Sequence, residues 1–190
     1  MSLIDLIRAE TERLGFILCG VAPPSPPAHF RAYEHWIEAG LHAEMAYMAT
    51  GQARLRREDP GLVLPEAAAI LVVAMRYFSP HVIPPGPSNE ALGRVAAYAW
   101  GEDYHQVIPP RLEELVLQLE KVLGQPVRHR IYSDTGPILE HDLAQQAGLG
   151  WTGKNTCTIS PRQGSYFLIG EVFLDAPVEP TQALRQFCSN

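Results

Sequence analysis

The chain is poor in cysteine: three in 190 residues, at Cys19, Cys157 and Cys188. An odd number at wide spacing builds no disulfide framework, and no C-x-x-C metal clip occurs. Long apolar runs are missing too. None reaches the roughly 20 residues of a membrane-spanning helix, and the N-terminus MSLIDLIRAETERLG mixes acids and bases at helical spacing where a signal peptide has an apolar core. The expected setting is the cytoplasm, with no membrane partner. There is no basic excess either. The formal net charge is −6, which does not advertise nucleic-acid binding. Local bases at Arg54, Arg56 and Arg57, and at Arg128 and Arg130, are expected on a solvated face. No dinucleotide fingerprint is present. A triphosphate loop fails on spacing, because GWTGKNT leaves only two residues between its glycines. Zinc spacing fails as well, since no second histidine follows His105 at three or four residues. No metal site is expected.

What remains is an ordinary globular composition, 46% hydrophobic and 19% charged, in a length that suits one domain. Residues 3–14 read as an amphipathic helix and FILCGVA, 16–22, as a strand stopped by PPSPP. Residues 28–49 look helical with a break near Gly40, and their Tyr33, Trp36, Met45, Tyr47 and Met48 are expected in the core. AAILVVAMRYF, 68–78, suits a strand buried on both faces. A proline-rich loop spans 81–93, and VAAYAW, 95–100, is a further strand candidate. PRLEELVLQLEKVLG, 110–124, is the clearest helix, with a leucine stripe and a glycine stop. VRHRIYS, 127–133, alternates as a strand, and 138–150 reads as a helix. NTCTIS, 155–160, and SYFLIGEVFL, 165–174, read as a hairpin joined by PRQG. The order predicts an α/β sandwich with a mixed, largely antiparallel sheet flanked by helices.

Three stretches can carry chemistry. In YSDTGPILEH, Asp134 sits between a strand and a helix. One reading is an N-cap, which wants an ionised carboxylate. The other is a general acid, which must hold its proton near neutral pH against an apolar wall. Tyr98, Trp100 and Trp151 are candidate walls. In GLGWTGKNTCTISPRQGS, Gly150, Gly153 and Gly164 permit close approach to a flat ligand. Lys154 and Asn155 can donate to carbonyl or amide groups. Thr156, Thr158 and Ser160 line one strand face, either as an exposed sheet surface or as room for something large. AAYAWGEDYH sets Asp103, Tyr104 and His105 together after a strand.

Taken together, YAWGEDYH, the run from YSDTGPILEH to EVFLD, and the earlier GLHAEMAYM resemble epoxyqueuosine reductase, from about residue 5 to about 175. The resemblance implies a nitroreductase-like, B12-trafficking-like fold. It implies cobalamin as cofactor, tRNA carrying epoxyqueuosine as substrate, an electron donor, and reduction of an epoxide to an alkene with release of water. By motif, Asp134 matches the family's proton donor. Arg57, Ala97, Tyr98, Thr158 and Ser160 match corrin contacts, with Lys154 and Asn155 as further corrin contacts. Tyr104 and His105 are expected to face the modified base. Residues 1–175 correspond to the cobalamin-binding catalytic domain and 176–190 to a tail where the family's ferredoxin-like module begins. That module holds two [4Fe–4S] clusters, and three scattered cysteines cannot ligate them. The chain is therefore expected to bind cobalamin without iron, as a monomer. The alternatives are a corrinoid- or flavin-binding module without turnover and, more remotely, a nitroreductase-like flavin enzyme.

Overall fold

A computed structural model describes residues 2–77 and 95–184. The loop expected at 81–93 and Cys188 lie outside the described residues. In chain order the elements are α1 (Leu3–Arg13), β1 (Leu18–Ala22), α2 (Phe30–Glu38), α3 (Gly51–Glu58), β2 (Ala69–Arg76), α4 (Tyr104–Leu123), β3 (His129–Tyr132), α5 (Glu140–Gln146), β4 (Trp151–Thr152), β5 (Thr158–Ile159) and β6 (Phe167–Leu174). Four strands form one sheet in the order β1-β2-β6-β3, every pair antiparallel. The expected sandwich with a largely antiparallel sheet is what forms.

The strand period of two builds the layers. On β2, Ala69, Leu71 and Val73 face one core with Ile7 of α1 and with Ile108, Leu112, Leu115 and Leu119 of α4. Ile70, Val72 and Ala74 face the other core with Ile138, Leu143, Ala144 and Leu149 around α5. α4 lies close to the sheet because β6 offers Gly170, where a Cβ would stand 2.8 Å from Ile108 Cγ2. Asp103 caps α4 by accepting from the His105 N–H, and Gly124 ends the helix in the left-handed conformation. Pro109 and Pro110 fall inside its first two turns. Beyond Asp175 the chain stays on the body: Ala176 and Val178 are buried in the α1/α4 core. Thr181 N–H donates to Val21 O at 2.9 Å, its Oγ1 accepts from Val21 N–H at 2.9 Å, and its hydroxyl donates to Ala147 O at 2.6 Å.

Several expectations change. Residues 95–100 are not a strand; Ala97–Ala99 form a 3-10 turn, closed by Trp100 Nε1 donating to Val95 O. The hairpin partner of β5 is β4, with Ser160 and Gly164 bridging the turn after it, while β6 lies in the main sheet between β2 and β3. An eight-residue apolar strand is worth more between two neighbours than at the edge of a small hairpin, which explains the exchange. The helix at 28–49 stops at Glu38, and Gly40 turns the chain with φ +69°. Downstream, Tyr47 and Met45 are exposed and do not join the core. Arg57 is buried, unlike a solvated base.

Candidate active site

Asp134 does not cap a helix. α5 begins only at Glu140, and its N-cap residue, Leu139, makes no side-chain bond to it. Asp134 instead stands exposed on the turn after β3 with φ +62°, a left-handed conformation that Asp tolerates better than most side chains. Its Oδ2 accepts a hydrogen bond from the Tyr104 hydroxyl at 2.6 Å, sent from the first turn of α4. Burial, then this bond, pushes the Tyr104 phenol well above its usual range, so the hydroxyl remains a donor.

The turn overlooks an open cavity of about 780 Å³. One wall is Asp134 to Asp142; the other comes from α2, α3 and the segment between them, including Tyr33, Met45, Tyr47, Met48 and Arg57. The β4–β5 hairpin joins through Thr152 and Thr156. Thr156 also has positive φ, +65°. Two of the three non-glycine residues with positive φ among the described residues thus line this cavity, a clustering expected where geometry serves function.

Polar groups in the wall are unevenly satisfied. Asp142, nearly buried, accepts from the His29 N–H at 2.9 Å and pairs with His29 Nδ1 at 2.5 Å. Arg57 sends Nη1 to Ala53 O and Nη2 to Met48 Sδ, and stands 5.4 Å over the Tyr33 ring. Its Nε is buried with no hydrogen-bond partner among the described residues. Glu140 has a largely buried carboxyl. Burial first, then the nearby Asp134 charge, raise it from 4.5 to about 7, against the Asp134 backbone N–H and Arg57. Burial lowers His141, whose Nδ1 lies 2.6 Å from Thr158 Oγ1.

The other expected residues are scattered. Thr158 and Ser160 are buried and engaged within the protein, with His141 and Gly164 respectively. Lys154 and Asn155 are exposed at the hairpin tip, between two cavity-lining threonines. Ala97 and Tyr98 lie on the 3-10 turn, with Tyr98 against Tyr77 and neither lining the cavity. His105 stacks on Tyr104 at 4.0 Å and pairs with Asp103. Tyr98, Trp100 and Trp151 are not the walls; Tyr33, Met48, Pro137 and Ile138 are. Gly150 and Gly153 serve the hairpin's own packing, since a Cβ at either would strike Ile159. Sequence reasoning missed Glu140, the His29–Asp142 pair and the buried Glu171. A lone acid inside the apolar run FLIGEVFL is the signal that could have found the last.

A family model described as epoxyqueuosine reductase QueG, DUF1730, matches residues 57–135, from Arg57 to the Asp134 turn. The epoxyqueuosine reductase of Alicycliphilus denitrificans is 35% identical over 196 residues, covering 99% of this chain and 53% of the relative. The chain is related to the epoxyqueuosine reductases. It spans about half the length of the curated relatives it matches. The epoxyqueuosine reductase of Streptococcus thermophilus superposes with a TM-score of 0.81 at 26% identity, over 98% of this chain and 49% of that one. A second epoxyqueuosine reductase, solved with an epoxyqueuosine-modified tRNA stem loop, shares the fold at TM-score 0.73 and 23% identity, over 98% of this chain and 48% of that one. Among the described residues no helix is long and apolar enough to cross a membrane.

Proposed function

We propose that this chain is the cobalamin-binding part of an epoxyqueuosine reductase, an oxidoreductase that reduces epoxyqueuosine to queuosine in tRNA. The observation that carries the reading is Asp134, held by Tyr104 on a left-handed turn at the rim of a cavity wide enough for part of a large flat ligand. The cavity suits a corrin in kind. Its walls are mostly apolar and aromatic, with a few converging polar groups. The buried, unpartnered Arg57 Nε is a donor with nothing of its own chain to satisfy it, and a corrin side-chain amide carbonyl is such an acceptor. Arg57 would hold the cofactor with Met48 and Tyr33, and Lys154 and Asn155 would reach it from the hairpin tip. Thr158, Ser160, Ala97 and Tyr98 would meet only the part that extends past the cavity. Cobalamin, when bound, supplies the two electrons of the reduction.

The chain's own residues supply the proton chemistry. Opening an epoxide leaves an alkoxide, which departs only after protonation, so a carboxylic acid must stand within hydrogen-bond reach of that oxygen. Asp134 is the acid of this reading. Tyr104 orients it by donating to Oδ2, leaving Oδ1 for the substrate. The neighbouring Tyr104–His105 stack offers a flat surface for the modified base. The test is an optical titration of the purified chain with cobalamin. Corrin bands that co-elute with folded protein, and that weaken in R57M, are expected. A well-folded chain that does not bind cobalamin refutes the reading, and flavin bands without corrin would replace it with a flavin-binding module.

A further inference from the structure

One corner of the cavity is built by α5 and the two segments it holds. Asp142 lies on the first turn of that helix, with a side chain only 6% exposed. Both of its carboxyl oxygens meet one residue: Oδ2 accepts from the His29 N–H at 2.9 Å, and Oδ1 lies 2.5 Å from His29 Nδ1. A carboxylate only accepts, so this network assigns the ring hydrogen to Nδ1 and leaves the neutral imidazole a lone pair on Nε2. The His29 side chain is 46% exposed and lines the cavity. Its Nε2 has no hydrogen-bond partner among the described residues. Three residues further along α5, on the same face, Gln145 Oε1 accepts from the Thr152 N–H at 3.3 Å. Thr152 also lines the cavity, and its Oγ1 is buried with no hydrogen-bond partner among the described residues. A tie between α2 and α5 accounts for the buried Asp142 carboxyl. It does not account for a free imidazole nitrogen and a free hydroxyl at neighbouring places in the wall.

We propose that His29 is a specificity residue of the cofactor site: its Nε2 accepts a hydrogen bond from the N–H₂ of a primary carboxamide, so that the cavity takes a corrinoid with amidated side chains and rejects one with carboxylic acids. The inference rests on the function proposed above. Each amide on a corrin rim offers a carbonyl oxygen and an N–H₂ group. Arg57 Nε is a donor for the first, His29 Nε2 an acceptor for the second, and Thr152 Oγ1 can meet either. A ligand carboxylate has no hydrogen to give to Nε2, so two lone pairs would stand face to face. Polar groups left unpaired in this way make hydrogen-bond selectivity large. Charge acts in the same direction, because Asp134, Glu140 and Asp142 line the cavity against a single arginine. Asp142 is a positioning residue: by holding the hydrogen on Nδ1 it makes Nε2 the acceptor. Asparagine in its place reverses the ring. Its carbonyl takes the His29 N–H, its amide nitrogen donates to Nδ1, and the ring hydrogen moves to Nε2, which then donates to a carboxylate oxygen.

The test is the affinity of the purified chain for cobalamin and for cobalamin monocarboxylic acids, in each of which one rim amide is hydrolysed. It is measured for wild type, H29F, D142N and the double variant at about pH 8.5, where a free imidazole is neutral. Wild type should bind at least one of these acids about a hundredfold more weakly than cobalamin. H29F should bind cobalamin about tenfold more weakly and lose most of the discrimination. D142N should narrow the discrimination about tenfold, and that narrowing should vanish in the H29F background. A purely structural tie between α2 and α5 predicts instead that each substitution weakens every ligand in proportion, and that result overturns the inference. Acids that bind wild type as tightly as cobalamin also overturn it, with the proposed function left standing. A folded chain that binds none of these corrinoids overturns the proposed function and the inference together. Nitrogen NMR of the ligand-free, histidine-labelled chain reads the ring directly. The His29 hydrogen should lie on Nδ1 in wild type and on Nε2 in D142N; a wild-type hydrogen on Nε2 overturns the inference whatever binds.

Discussion

Glu171→Met should make this protein markedly more stable, and increasingly so as pH rises. The thioether chain has nearly the length of glutamate and none of its polar atoms. In the wild type the carboxyl is fully buried, with both oxygens unpartnered among the described residues. An unsatisfied buried polar group costs about 1–3 kcal/mol even when neutral. Ionisation adds to this. The unfolded chain releases the proton near 4.5, whereas the folded protein retains it well above that value. The native state therefore binds more protons, and wild-type stability falls by about 1.4 kcal/mol per pH unit above the unfolded value until the folded one is passed. The substitution removes that slope. The gain should be about 1–3 kcal/mol from the unsatisfied group alone and should grow from pH 5 upward as the unfolded chain ionises, with Tm rising by about 2–4 °C for each kcal/mol in a chain of this size. Urea melts at pH 5, 6, 7 and 8 measure both the gain and its slope. A variant no more stable than wild type at pH 7, or a gain that does not grow with pH, would refute the reasoning and mean that Glu171 is ionised beside a partner.

Asp134→Asn should leave stability within about 1 kcal/mol, since the residue is exposed and Asn tolerates the same positive φ. Turnover should nonetheless fall about 10²–10⁴-fold with cobalamin still bound, as read by single-turnover rates. Tyr104→Phe removes only the donor to Oδ2; thermal melting should shift by the equivalent of about 1 kcal/mol or less, with turnover slowed less than Asp134→Asn slows it. Gly150→Ala should destabilise by about 1–3 kcal/mol in urea melts, because its Cβ would stand 2.5 Å from Ile159 O, a backbone atom that cannot rotate away.

The parts of the fold readable in advance are those where burial follows a period. β2 and α4 declare themselves by an unbroken apolar run and a leucine stripe; β2 and the end of α4 fall within a few residues of the expected bounds, while α4 begins at Tyr104, six residues before the proline taken as its start. Residues 95–100 misled because a short apolar run does not distinguish a strand from a turn. The partner of β6 could not be read from its neighbour in sequence, since pairing is decided by which face of the sheet remains to be covered. Around the site, motif outran local physics. From local sequence alone Asp134 reads first as a cap, and the helix start at Glu140 removes that reading. Arg57 resembled its solvated neighbours Arg54 and Arg56 because burial of a single guanidinium depends on what folds over it, here Tyr33 and Met48.

The segment after Asp175 bears on solubility. β1 is the outer strand of the sheet and, among the described residues, pairs only with β2. Thr181 occupies the N–H and C=O of Val21 on its free side. An uncovered edge invites strands from other molecules. Proteolysis just before Thr181 would leave both cores intact and the strand open, yielding molecules that remain folded and yet self-associate through their edges. Protection of this edge is therefore seated in a short stretch that contributes little to the sheet itself.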